Sequence, residues 1–120
     1  MLSTSHSRAY QDFITLLKKF RNIFTNHDLN INTFLVQKEL RNLQEYFEQQ
    51  IIPLDSEELD SAIASRWQSV QTEIKREFKL LTTDILFLNS ARQPATRTRR
   101  LKSICDRTIK LINYCQIMLS

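Results

Sequence analysis

Apolar residues recur at helical spacing along most of the chain and predict four amphipathic helices. The longest pattern spans residues 54–89, with no proline or glycine inside it, and predicts one long helix. Its apolar stripe consists of Ile63, Trp67, Val70, Ile74, Phe78, Leu81, Ile85 and Leu88. A helix of about 34 residues would be about 50 Å long. We therefore expect the rest of the chain to pack against it.

The start of this third helix carries a recognisable capping pattern. Asp55 is predicted as the N-cap, and Glu58, three residues later, as its partner in a capping box. Leu54 and Leu59 would then form a hydrophobic staple across the first turn. Pro53 ends the preceding helix, because proline disfavours the helical conformation in the residue before it.

Three shorter patterns surround the long helix. The first follows residues 1–7, which we expect to be frayed, and the second begins near Asn30. The fourth begins near Pro94, since proline suits the first turn of a helix. The stripe residues are Tyr10, Phe13, Leu17, Phe20 and Phe24 in the first, Val36, Leu40, Leu43, Phe47 and Ile51 in the second, and Leu101, Ile104, Cys105, Thr108, Leu111, Ile112, Cys115, Met118 and Leu119 in the fourth.

The absence of glycine agrees with a helical fold. Glycine supplies tight hairpin turns and phosphate-binding loops, so hairpins and nucleotide-binding motifs are not expected. The short connections between the helices predict antiparallel neighbours. The predicted fold is therefore all-α: a single domain, residues 1–120, forming an antiparallel up-down four-helix bundle organised on the long third helix. The stripes fit a monomer and a homodimer equally well.

Two features of the sequence predict a cytoplasmic protein. It contains neither an apolar run long enough to span a bilayer nor a signal peptide. Cys105 and Cys115 are ten residues apart on one predicted helix, about 15 Å, which is too far for a disulfide bond within that helix. Two free cysteines are typical of a reducing compartment.

Candidate catalytic and metal-binding groups are scarce, and we expect neither an enzyme nor a bound cofactor or metal. His6 falls in the expected frayed start and His27 in a polar turn, so both are interpreted as surface residues. Glu73 and Glu77 share a helix face with neighbouring lysine and arginine residues. They are interpreted as solvated ion pairs.

Asp84 is an acidic residue inside an apolar stretch, residues 80–88. If the chain folds back after this stretch, Asp84 lies opposite Arg99 or Arg100, and we predict an ion pair there. The alternative is an exposed aspartate. The stretch is apolar on more than one face, which indicates either burial under two neighbouring helices, the favoured interpretation, or a surface for a partner.

The net charge of +4 is concentrated in the last quarter of the chain. Up to Ser90 there are ten Lys/Arg against twelve Asp/Glu, whereas after it there are seven Lys/Arg against Asp106 alone. Because cations disfavour a helix N-terminus, the cluster indicates either a solvated helix start or a binding surface. The candidate partner-binding residues are Arg92, Arg97, Arg99, Arg100 and Lys102.

These basic residues indicate an acidic partner and leave two classes of partner open. A basic surface attracts acidic proteins or nucleic acids. Nucleic-acid binding would normally add exposed aromatic residues, and the aromatic residues here fall mainly at core positions. An acidic protein is therefore favoured, and a nucleic-acid-binding regulatory protein that uses the basic C-terminal third is the alternative.

Three segments of the sequence resemble a known family. They are WQSVQTEIKR at residues 67–76, LLTTDILFLNSARQPATR at residues 80–97 and LINYCQIML at residues 111–119. They resemble the cyanobacterial PatD family of heterocyst frequency control proteins. Weaker similarity lies in YQDFITLL, residues 10–17, and LQEYFEQQ, residues 43–50. The resemblance covers nearly the whole chain.

The resemblance implies a small cytoplasmic protein without enzymatic activity that works at the division site. Members of the family are associated with FtsZ, the tubulin-like division GTPase, and promote the assembly of its polymers. In filamentous cyanobacteria they also restrain the number of heterocysts. The resemblance supplies no catalytic motif. The basic end is the expected contact surface because FtsZ-type filaments are acidic.

Overall fold

The computed structural model describes residues 2–25 and 33–120, except for the side chains of Thr25 and Thr33. These ranges contain no strand and form four α-helices: α1 (Thr4–Thr25), α2 (Thr33–Tyr46), α3 (Ser61–Ser90) and α4 (Pro94–Leu119). A π-helical turn, Phe47–Ile51, continues α2. The all-α fold class predicted from the apolar stripes is confirmed.

Contacts between side chains show how the helices run. Later residues of one helix contact earlier residues of the next as the contacts are followed along the pair, so α1 and α2 run antiparallel, as do α3 and α4. The pairs are Phe13–Tyr46 and Lys19–Glu39 between α1 and α2, and Glu77–Arg107 and Asp84–Arg100 between α3 and α4. The bundle measures 50 × 20 × 20 Å.

The third helix begins later than predicted. α3 starts directly after Asp60, and residues 54–60 form turns in front of it. Asp55 accepts a hydrogen bond from the backbone amide of Glu57, and Glu58 is exposed. Asp60 occupies the N-cap position without a capping bond from its side chain. The predicted capping box is therefore wrong, because a local turn competes for the Asp55 carboxylate.

The first helix begins earlier than predicted. The fraying expected for residues 1–7 is wrong for those within α1, and His6 is buried rather than on the surface. Its ring nitrogens lie 2.6 Å from the Ser3 hydroxyl and 2.9 Å from the Asp55 carbonyl oxygen. Its ring also packs edge-on against Trp67, a buried core residue as predicted. These contacts hold the turns before α3 against the start of α1.

The remaining helix ends agree with the proline positions. Pro53 follows the π-helical turn, and Pro94 is the first residue of α4. Three residues, 91–93, separate α3 from α4. The predicted start of the second helix near Asn30 and the predicted surface position of His27 lie outside the described residues.

The core is built from the predicted stripes. Every stripe residue predicted for the first two helices is buried. At the centre, the ring centroid of Phe13 lies 6.0 Å from that of Tyr46, 5.6 Å from that of Phe47 and 6.0 Å from that of Phe78. Phe47 and Phe78 are stacked at 4.2 Å. Phe13 therefore links α1 to α3 and to the end of α2.

Burial of Cys115 should make the fold sensitive to alkali. Burial raises the pKa of this thiol to about 12 from its ordinary value of 9.0. The unfolded chain releases the proton near pH 9, whereas the folded protein keeps it until about pH 12. The free energy of unfolding should therefore fall across this window, by about 1.4 kcal/mol per pH unit for this one group.

Urea titrations at successive pH values between about 8 and 10 would measure this fall. The Cys115→Ala variant lacks this thiol, so its free energy of unfolding should fall less steeply as the pH rises. Tyr10, whose pKa burial also raises, stays protonated in the unfolded chain over most of this range. Equal slopes for the two proteins would show that Cys115 does not cause the alkaline loss.

Candidate partner-binding surface

The five basic residues proposed from the sequence lie at or just after the connection between α3 and α4, at one end of the bundle. The structure divides them into two groups. Arg97 and Arg100 are bound within the fold. Arg92, Arg99 and Lys102 are exposed and form no hydrogen bond or ion pair with the described residues.

Arg97 closes the end of α3. Its Nη1 lies 3.5 Å from the Leu88 carbonyl oxygen and 3.4 Å from the Ala91 carbonyl oxygen. The last carbonyl groups of a helix lack partners within the helix and carry partial negative charge. This contact compensates for placing a cation in the first turn of α4, where it is otherwise unfavourable.

Arg100 forms the ion pair predicted for Asp84. Its Nη1 lies 3.3 Å from Asp84 Oδ1, and its guanidinium carbon lies 4.6 Å from the centre of the Phe87 ring. Asp84 is only 5% exposed, so the alternative of an exposed aspartate is wrong. Arg99, the other predicted partner, does not contact Asp84 and faces solvent.

The pair belongs to a larger network, which we call the buried charge network: Asp84 and Glu77 of α3 with Arg100, Ser103, Arg107 and Lys110 of α4. Arg107 joins the two carboxylates, with Nε 2.6 Å from Asp84 Oδ2 and Nη1 3.1 Å from Glu77 Oε2. Partial burial acts to lower the pKa of Arg107, but hydrogen bonds and charge attraction from Asp84 and Glu77 outweigh it and raise the pKa.

The interpretation of Glu77 as a solvated ion pair is wrong. Its side chain is 1% exposed, and it also lies 3.1 Å from Lys110 Nζ and 3.6 Å from Arg76 Nη1. Glu73 does pair with Arg76, at 3.5 Å, and stays partly exposed. Sequence reasoning missed Arg107, although the seven-residue spacing between Glu77 and Asp84 matches that between Arg100 and Arg107. With Asp84 paired to Arg100 in an antiparallel pair of helices, equal spacing places Arg107 opposite Glu77.

Two large apolar side chains near the end of α3 are exposed, and one of them, Phe87, contacts Arg100. Leu86 is 67% and Phe87 49% exposed, whereas Ile85 and Leu88 are buried. The favoured interpretation, burial of the whole stretch of residues 80–88, is therefore wrong for two of its members. Helical geometry explains the division, because Ile85 and Leu88 are three residues apart and face the bundle together. We call Leu86, Phe87, Arg92, Arg99 and Lys102 the candidate surface.

The candidate surface has no sign of a catalytic or metal-binding group. Nowhere among residues 2–25 and 33–120 do three or more His, Cys, Asp or Glu side chains gather as they would around a metal ion. Cys105 and Cys115 are free thiols, as the sequence predicts. Burial raises the pKa of both, which disfavours the reactive thiolate. None of the described helices is long and apolar enough to cross a membrane.

Comparison with known proteins adds no family and no structural relative. No family model, no curated protein sequence and no solved structure matches the chain.

Proposed function

We propose that the protein is a non-enzymatic regulator that binds FtsZ and promotes the assembly of its polymers, acting in the cytoplasm at the division site. In a filamentous cyanobacterium the same activity would restrain heterocyst frequency. The resemblance to the PatD family supplies the partner. The observation that best supports a protein partner is the candidate surface, where Leu86 and Phe87 are exposed at the same end of the bundle as three cations that are unpaired among the described residues.

Apolar and cationic groups at one end of the bundle suit an acidic protein better than a nucleic acid. Leu86 offers apolar area that a phosphate backbone does not use, whereas protein interfaces bury such area at their centre. Phe87 is exposed, but the Arg100 guanidinium covers one face of its ring. That face is not free to stack on a base.

Promotion of assembly requires a preference for the polymer. A protein that bound free and assembled FtsZ equally well would leave the equilibrium unchanged. A surface that contacts two neighbouring subunits would provide this preference, because both subunits are adjacent only in the polymer. Cross-linking of polymers would in addition require a second binding surface or a dimer.

Sedimentation of purified FtsZ with GTP tests the proposal. We expect more FtsZ in the pellet when the protein is added, and we expect the protein itself to sediment with the polymer. FtsZ without GTP provides the control for binding that does not depend on assembly. Unchanged FtsZ pelleting, together with salt-sensitive retardation of DNA by the protein, would instead favour the nucleic-acid-binding regulator.

A further inference from the structure

An open groove of about 370 Å³ runs along α4 on the side that faces α3. We call it the basic groove. Its lining residues are Glu77, Arg99, Lys102, Ser103, Asp106, Arg107 and Lys110. Four of them are cationic and two are acidic, so the groove carries a surplus of positive charge.

The buried charge network determines which of these charges are available. Glu77 is buried and already contacts Arg107 and Lys110, so it adds no free negative charge. Lys110 is still 51% exposed at its side chain and has room for another carboxylate. Arg99 and Lys102 are exposed and unpaired among the described residues.

The available cations form two groups along the helix. Arg99 and Lys102 lie one turn apart near the start of α4, and Lys110 lies two turns further on. Asp106 lies between them and lines the same groove. The distance from Lys102 to Lys110 along the helix axis is about 12 Å, which an extended peptide covers in about four residues.

We propose that the basic groove binds an acidic segment of a partner protein, with one carboxylate at Arg99 and Lys102 and a second at Lys110. The residues between these two carboxylates are neutral, because they face Asp106. The inference rests on the proposed function for the source of the acidic segment, which FtsZ would supply. The groove itself is defined without reference to FtsZ and is tested separately.

The position of Asp106 favours a protein segment over a phosphate backbone. Phosphates follow one another without interruption, so a nucleic acid along the groove would place negative charge against Asp106. A polypeptide can place a neutral residue there. Like charges that meet at an interface discriminate against the wrong partner.

The test is a titration of the ¹⁵N-labelled protein followed by amide chemical shifts. The spaced peptide is capped and extended, with two glutamates separated by three neutral residues. One comparison peptide has adjacent glutamates, another has glutamine at both positions, and an oligothymidylate represents phosphate. We expect the spaced peptide to bind most tightly, with shifts confined to residues that line the basic groove.

Three variants make the outcome specific. Arg99→Gln with Lys102→Gln should weaken binding of the spaced peptide at least about fivefold. Lys18→Gln with Lys38→Gln removes the same charge from exposed sites on α1 and α2 and should change binding less than about twofold. Asp106→Asn should strengthen binding of the adjacent-glutamate peptide more than that of the spaced peptide.

Equal weakening by the two double variants would overturn the inference, since it would show attraction to net charge alone. Tighter binding of oligothymidylate than of any peptide would overturn it in favour of phosphate. Failure of the proposed function gives a different pattern: the groove binds the spaced peptide, but FtsZ pelleting does not change. If FtsZ assembly rises equally with the wild type and with the Arg99/Lys102 variant, the function stands and the groove proposal fails.

Discussion

Replacement of Phe13 by alanine should lower the free energy of unfolding by about 4 kcal/mol. Phe13 is fully buried, and its ring contacts Tyr46, Phe47 and Phe78. The variant loses apolar burial and leaves a cavity where three parts of the bundle meet. The neighbouring rings come from α2, the π-helical turn and α3, so no single side chain can move to fill that cavity.

Urea denaturation followed by circular dichroism measures this loss. Phe34→Ala is the matched control, because Phe34 is 77% exposed and its removal should change stability by less than about 0.5 kcal/mol. Similar losses for the two variants would contradict the described core. The expected order depends on burial alone, since both substitutions remove the same atoms.

Replacement of Arg107 by methionine should cost about 3 kcal/mol. Methionine keeps most of the aliphatic length and removes the cation that joins Asp84 to Glu77. Both carboxylates are almost fully buried. Asp84 would lose its shortest ion pair, and Glu77 would lose one of the three that it forms with described residues. Arg100 and Lys110 still pair with one carboxylate each, so the loss should stay near the lower end for a broken buried pair.

A second substitution separates charge from packing. If unpaired negative charge causes the loss, addition of Asp84→Asn to the Arg107→Met variant should restore part of the stability. Lys102→Met serves as the control, because Lys102 is exposed and unpaired among the described residues. An additive effect of the two substitutions would contradict the direct coupling of Arg107 to Asp84.

The apolar stripes were sufficient to predict the helices and most of the core. The spacing of Phe13, Leu43 and similar residues depends only on the period of an α-helix, so one sequence is enough to find it. The pair of Asp84 with Arg100 was also predictable, because the turn between α3 and α4 is short. Both inferences use contacts that are close in sequence or repeat at one fixed interval.

The errors concern contacts between distant parts of the chain. The turns before α3 are one case, because His6, which is 49 residues from Asp55, binds the Asp55 carbonyl oxygen and holds these turns against the start of α1. Glu77 is buried because Arg107 and Lys110 of α4 cover it. Whether a charged side chain is buried by a neighbouring helix depends on how the two helices are rotated relative to each other. The residue pattern of one helix does not determine that rotation.

The candidate surface was predicted only in part. The sequence grouped five basic residues, and the structure shows that Arg97 and Arg100 already have partners within the fold. A variant that reversed the charge of Arg97 or Arg100 would disturb the fold as well as any contact with a partner. The exposure of Leu86 and Phe87 depends on where α4 lies against α3, so the sequence left it open.

The most direct test of a partner-binding surface at the basic end compares two charge-reversed variants in the FtsZ sedimentation experiment. One carries Arg92→Glu, Arg99→Glu and Lys102→Glu, which should fold well because all three side chains are exposed and form no ion pair with the described residues. The other carries Lys18→Glu, Lys38→Glu and Arg41→Glu at exposed positions on α1 and α2. We expect the first to lose promotion of FtsZ assembly and the second to keep it. Equal activity of the two variants, with both folded, would contradict binding through this surface.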